Sequence, residues 1–328
     1  MTSDHDYLGN LQTVLITGAT GQDGRLASSI LRNEGRRPIG LGRKGRAAAP
    51  TDHPITDWVW WDWQDRSMLE DLLDEIKPDA VLHLAAHHHS ATTNLNDLAS
   101  DAEDMLSTNM TGSAALVLAI QRAAPEARLI AAASSQMFTP TQTETRIDEL
   151  SKILPASLYG ITKAATLQMI DHYRRQCAIQ GGSVILFNHE SRYRPARFVA
   201  RTISQAAAAI STGAQDRLTL QNIGASADWC AAEDVVEAIL RIAASSQNAD
   251  FIVASGQATP LKDLLDAAFS CVGLDWRDHV DSREDYPQPY LIGDPSRIQA
   301  ACGWRSVTPM QSVMADMVTH DRLLLEQQ

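Results

Sequence analysis

No long hydrophobic run occurs anywhere in the 328 residues. Apolar stretches such as Ala80–Ala86 and Arg128–Ala133 fall far short of the ~20 residues that a membrane-spanning helix needs. The first residues, Met1–Asp6, carry acid where a secretory signal would carry an apolar core. Cysteine is scarce: Cys177, Cys230, Cys271 and Cys302 stand 53, 41 and 31 residues apart, with no C-x-x-C pair. That spacing argues against a disulfide framework or a metal site, and for thiols used as small core residues in a reducing compartment. Positive charge is in deficit, since 28 Lys and Arg against 40 Asp and Glu leave a net charge of −12. A nucleic-acid partner, whose phosphates need a basic face, is therefore not expected, and neither is a membrane partner. Internal repeats are absent, and the Ala206–Ala209 run is the sole low-complexity tract. These absences leave a soluble protein, expected in the cytoplasm.

What is present is strand and helix in alternation. Thr13–Thr17 is a short β-branched run followed by Gly18, Gly21 and Gly24, and Arg25–Asn33 then has apolar residues at helical spacing. Further strands are expected at Pro38–Gly42, Asp57–Asp62, Ala80–Ala86, Arg128–Ser134 and Ser183–Phe187. The intervening helices are expected at Leu69–Ile76, Asp101–Ala124 and Ser157–Gln176. This order predicts an α/β fold with a Rossmann-like, doubly wound parallel sheet over residues 1–190. Residues 191–328 read as a smaller α/β lobe, interleaved with the sheet domain. Its helices are expected at Phe198–Thr212, Ala232–Ser245, Leu261–Val272 and Pro309–Leu325, and its strands at Leu218–Gln221 and Phe251–Ala254.

Glycines spaced as Gly18, Gly21 and Gly24 between a strand and a helix let the backbone approach a pyrophosphate, which the helix N-terminus stabilises. The candidate dinucleotide contacts are therefore Gly18, Gly21, Gln22, Asp23 and Gly24, joined by Leu84, Ala85 and Ala86 after the fourth strand. The second strand ends in Gly40-Leu-Gly-Arg-Lys44, with cations where an NAD site places an acid. Arg43 and Lys44 would pair a 2′-phosphate, so NADP is preferred over NAD. Asp62 and Trp63, closing the third strand, are candidates for the adenine.

Tyr159 and Lys163 lie four residues apart, on one face of a helix. A lysine there is expected to depress the phenol's pKa and to hold the nicotinamide ribose, so that Tyr159 exchanges a proton with a substrate oxygen. Ser134 and Ser135, ending the preceding strand, would hydrogen-bond that oxygen.

With these motifs in place, the chain resembles an extended short-chain dehydrogenase/reductase, specifically the GDP-mannose 4,6-dehydratase family. The resemblance is carried by Thr17–Gly24, Pro78–Ala86, Leu186–Ser191, Phe198–Ser204, Asp228-Trp229, Glu233–Ala238, Gly293–Ser296 and Cys302–Trp304. It implies a nucleotide-diphosphate sugar oxidised at C4 by hydride transfer, loss of a C5 proton and then of water from C6, and hydride return. Ser134, Tyr159 and Lys163 carry over as the oxidation machinery, Asn188 as a diphosphate contact and Glu190 as a neighbour of the nucleotide. His88, Arg197, Val199 and Arg283 complete the candidate substrate contacts. The resemblance also implies a homodimer built on the helices at 101–124 and 157–176. A tetramer would use the loop after the second strand, which is short and alanine-rich here.

Three positions depart from the family pattern. Its catalytic glutamate falls on Gln136, which cannot act as a general base. A lysine expected against the guanine falls on Thr202, and an arginine expected near the phosphates falls on Ala227. Arg192, Arg194, Arg197 and Arg283 are the cations available to replace it. His87, His88 and His89 follow the fourth strand, and one of them could supply the lost base, because imidazole titrates near neutrality. Consecutive loop histidines converge poorly, so no metal is expected. The readings left open are a dehydratase, a 4-keto reductase or epimerase, and a non-catalytic NADP-binding regulator.

Overall fold

The protein, known here from a computed structural model, is described at residues 6–44, 52–63, 65–88 and 98–327. His89 and residues 45–51 of the loop after the second strand lie outside the described residues. The central sheet has seven parallel strands: β1 (Thr13–Thr17), β2 (Arg37–Arg43), β3 (Asp57–Trp61), β4 (Ala80–His83), β5 (Arg128–Ser134), β7 (Gln180–Leu186) and β12 (Phe251–Val253). The number β6 belongs to Glu144–Ile147, outside this sheet. Strand order is β12-β7-β5-β4-β1-β2-β3, so the winding reverses between β1 and β4. A crevice opens beyond the carboxyl ends of the strands at such a reversal.

β1 shows why the sheet is buried on both faces. Val14 and Ile16 pack with helix α1 (Gln22–Asn33), whereas Leu15 points to the opposite core with α2 (Arg66–Ile76) and α4 (Ser113–Ala123). All three side chains are fully buried, as expected of a central parallel strand. α2 starts earlier than Leu69 because the Asp65 carboxylate accepts from the Met68 N–H and caps the helix. β4 ends at His83 rather than Ala86, since the chain there leaves the sheet to cross the glycine turn. The helix expected over 101–124 divides into α3 (Leu98–Leu106), a π-helical turn (Ser107–Gly112) and α4.

Chain beyond residue 190 returns to the large sheet. β12 is its edge strand, beside β7, and α7 (Ala232–Ala244) packs in the same core as α1. A separate core joins α6 (Val199–Ser211), α8 (Leu261–Ser270) and α10 (Met310–Glu326) around the strand pair β9 (Leu218–Asn222) and β14 (Val280–Glu284). Several short strands had no sequence signal: β6 pairs with β15 (Tyr290–Gly293), β8 (Asn188–Glu190) with β11 (Trp229–Ala231), and β10 (Ser226–Ala227) with β13 (Thr259–Pro260). Another short helix, α9 (Ser296–Cys302), was also missed. Among the described residues no helix is long and apolar enough to cross a membrane.

Candidate active site

The glycine turn sits at the winding reversal. Gly18 has φ +70°, and a Cβ there would lie 2.6 Å from the Ala85 nitrogen. A left-handed backbone and the passing 84–86 segment thus both demand glycine. α1 begins at Gln22, three residues before the sequence signal, with Gly21 as an N-cap that offers no side-chain hydrogen bond. Its leading N–H groups therefore remain available to an anion. The side chains of Gln22 and Asp23 meet His189: Gln22 Nε2 donates to the His189 carbonyl at 3.1 Å, and Asp23 lies 3.1 Å from His189 Nε2. Burial alone would raise Asp23, but the adjacent imidazole overcomes it and holds the carboxyl below its ordinary range.

A cleft of about 470 Å³ runs from this turn across the ends of β1, β2 and β4. Thr17–Gly21, Leu84–His87, Arg43 and Trp63 are among its walls. Arg43 stacks its guanidinium 4.0 Å above the Trp63 ring and reaches Asp104 at 3.4 Å. Lys44 is exposed and gives its backbone N–H to the Trp61 carbonyl; Asp62 is also exposed. The residues fit an adenosine phosphate: an apolar slot, uncapped helix amides and a cation at the far end, with no acid closing β2.

At the other end of the crevice, α5 (Leu158–Arg175) presents Tyr159 and Lys163. The Ser134 side chain lies beside the Tyr159 phenol and favours its ionised form. Burial pushes that phenol up to about 12, against the opposing pull of Ser134 and of the Arg194 charge. This reverses the expectation that Lys163 would depress it. The Lys163 ammonium donates to the Ala132 carbonyl at 2.7 Å, 5.7 Å from the centre of the Tyr159 ring. Burial lowers Lys163 itself to about 8. Desolvation thus governs both groups. Ser135 serves the turn, its carbonyl accepting from the Phe138 N–H.

Gln136 faces this corner. Its backbone N–H donates to Ser134 Oγ at 3.2 Å, its Oε1 accepts from Ser157 Oγ at 3.5 Å, and its Nε2 lies 3.1 Å from His88 Nε2. The His88 ring leans on Tyr159, with centroids 4.3 Å apart, and on Phe198 at 5.4 Å. His87 turns elsewhere, to the Asp101 carboxylate. Among the described residues no cluster of His, Cys, Asp or Glu is arranged to hold a metal ion. Asn109, buried in the π-helical turn, was not foreseen. It accepts from the His87 N–H at 2.8 Å and donates to the His87 carbonyl at 3.0 Å and to Thr162 Oγ1 at 3.1 Å. The loop after β4 is thereby tied to the helix that carries Tyr159. Only the tertiary fold distinguishes Asn109 from an ordinary helix residue.

The remaining candidates divide. Glu190 is buried and paired with Arg194 at 3.1 Å, and burial raises its carboxyl. Arg194 stacks 3.6 Å over Phe198 and contributes charge to Tyr159, which places it at the centre of the site. Arg197 lies farther out, 4.9 Å from the same ring. Asn188 and Val199 are exposed at either end of this segment. Thr202 Oγ1 donates to the Ala196 and Phe198 carbonyls within its own helix entry. Arg283 is exposed on β14, and Ala227 lies on β10.

The profile of the family described as GDP-mannose 4,6 dehydratase matches residues 15–317. The chain belongs to the GDP-mannose 4,6-dehydratase family. It is an extended short-chain dehydrogenase/reductase, as its motifs implied. GDP-mannose 4,6 dehydratase 1 of Arabidopsis thaliana is 32% identical over 98% of this chain and 92% of its own length. A GDP-mannose 4,6-dehydratase of Vibrio cholerae is 26% identical over 94% and 93%. Among solved structures, RMD of Pseudomonas aeruginosa complexed with NADPH superposes with a TM-score of 0.78 at 20% identity, covering 96% of this chain and 99% of that one. UDP-glucose 4-epimerase from Brucella ovis in complex with NAD gives 0.79 at 18%, covering 95% and 98%. These two likenesses establish the fold, the Rossmann-like doubly wound sheet read from the sequence.

Proposed function

We propose that this family member is an NADP-dependent enzyme that transfers hydride at C4 of a nucleotide-diphosphate sugar, with 4,6-dehydration as the net reaction. The observation that carries the proposal is the Ser134–Tyr159–Lys163 group at the same crevice as the glycine turn. Bound NADP would supply the hydride acceptor and donor. Ser134 and Tyr159 hydrogen-bond the C4 oxygen, and Tyr159 takes or returns its proton. Lys163 holds the ribose of the nicotinamide, and Arg194 offsets negative charge on the phenol and on the sugar diphosphate. Gly18, Gly21 and the first amides of α1 take the pyrophosphate, while Arg43 takes the 2′-phosphate in exchange for Asp104.

The division into a dinucleotide domain, 1–190, and a sugar-nucleotide lobe, 191–328, belongs to the same proposal, with Asn188, Arg197 and Val199 at the seam. A cytoplasmic homodimer is proposed as well, supported by four free cysteines and by exposed Leu106, Met110 and Ile161 on the α3–α5 face. A second reading, 4-keto reduction or epimerisation, is favoured by Gln136 alone. Incubation with NADP and with GDP-mannose or UDP-glucose, followed by mass spectrometry, separates the two. Dehydration removes one water; reduction adds two hydrogens; epimerisation keeps the mass and shifts the retention time. Absence of any turnover across both sugars and both directions would defeat the proposal.

A further inference from the structure

We propose that His88 is the proton-transfer residue at C5, replacing the carboxylate base that Gln136 cannot provide, and that Gln136 is its positioning residue. The inference rests on the C4 chemistry proposed above. Gln136 Nε2 is an amide nitrogen and can only donate, so the His88 Nε2 it meets at 3.1 Å must accept. That contact selects the neutral tautomer with its basic nitrogen at the Gln136 corner, beside the Tyr159 ring, and the C5–H takes the amide's place at that lone pair when the sugar binds. A base must lie within hydrogen-bond reach of the proton it takes. His88 Nε2 is one hydrogen bond from the residue that occupies the glutamate's place, and it shares its corner with the phenol that holds the C4 oxygen.

The placement is rigid. Asn109 clamps the neighbouring His87 backbone on both sides and is tied to Thr162 of α5. Phe198, itself under the Arg194 guanidinium, also packs against the ring, with centroids 5.4 Å apart. A catalytic group held by packing and a surrounding hydrogen-bond network keeps its geometry without reorganisation.

The step balances within the 4-keto sugar. The C5–H bond breaks, its proton goes to His88 Nε2, and the electron pair moves into an enolate whose oxygen Tyr159 and Ser134 hydrogen-bond. The imidazolium then gives its proton to the C6 hydroxyl, the C6–O bond breaks, and water leaves. The elimination is redox-neutral and consumes no further reactant.

The test uses the full chain with NADP and GDP-mannose in deuterium oxide. It follows C4 oxidation by the near-ultraviolet absorbance of reduced nicotinamide, and deuterium at C5 by magnetic resonance. Wild-type protein is expected to incorporate deuterium. In His88→Asn the ratio of C5 exchange to C4 oxidation should fall ~10²–10⁴-fold, the usual worth of a general base. Adding Gln136→Glu to that variant should restore exchange, since a carboxylate returns to the family position. An exchange-to-oxidation ratio in His88→Asn within about threefold of wild type would overturn the assignment, as would C4 oxidation by wild type without C5 deuterium. No conversion of GDP-mannose by the wild type, and no transient reduced nicotinamide in a single turnover, would instead strike the C4 proposal itself, and His88 with it.

Discussion

Tyr159 and Lys163 are one helical turn apart, yet their polar atoms have different surroundings: the phenol lies beside Ser134, and the ammonium donates to the Ala132 carbonyl. A phenol held near 12 keeps its proton at neutral pH. Tyr159→Phe is expected to cut turnover ~10²–10⁴-fold while leaving NADP affinity within about threefold, read by steady-state rates and calorimetry. A regulator that merely binds the dinucleotide would be indifferent to the change. Arg43→Ala should weaken NADP at least ~10-fold and NAD little, because only the 2′-phosphate needs the guanidinium. Equal losses for both dinucleotides would refute that assignment.

His83 offers a stability test at the same scale. Its ring bridges Thr17 Oγ1 at 2.8 Å and Ser113 Oγ at 2.7 Å. Burial lowers it from 6.5 to about 3. Between those values the unfolded chain binds a proton that the folded chain refuses, so the contribution is present above pH 6.5 and is lost as pH falls towards 3. One proton corresponds to at most about 1.4 kcal/mol per pH unit. Urea midpoints measured from pH 7 to pH 4 should therefore decline less steeply in His83→Asn than in the wild type, and parallel curves would contradict this.

At the scale of elements, catalysis depends on how α5 meets the turn after β5. A Cβ on Gly160 would fall 2.1 Å from the Gln136 carbonyl oxygen, so the helix can approach only as glycine. Gly160→Ala should separate Tyr159 from Ser134, lower kcat at least ~10-fold, and destabilise by about 1–3 kcal/mol through overpacking. An unchanged kcat with an unchanged Tm would show that the turn yields at no cost. The same scale explains what the sequence concealed. Periodicity located the strand–turn–helix and the Tyr159 helix, because both follow from local apolar spacing. It did not separate α3 from α4, since a π-helical turn alters hydrogen bonding without altering composition. Nor did it mark β6, β8, β10 or β15, whose few residues become strands only by meeting a distant partner.

At the scale of the molecule, the exposed face of Leu106, Met110 and Ile161 is the proposed dimer surface. Ile161→Glu should give monomers by light scattering at concentrations where wild type is dimeric, because a charge buried there without a partner is costly. A wild-type monomer would refute the dimer.

Local pattern by itself determined the fold class, the glycine turn, the Tyr159–Lys163 pair and the family, all of which reside in contiguous stretches with their own periodicity. The tertiary structure decided what depends on distance and desolvation. It tied Gln22 and Asp23 to His189, committed Glu190 to Arg194, and brought His88 against Gln136 and Tyr159. It also raised the phenol that the neighbouring lysine was expected to lower, since the cost of burying a charge is set by everything packed around it.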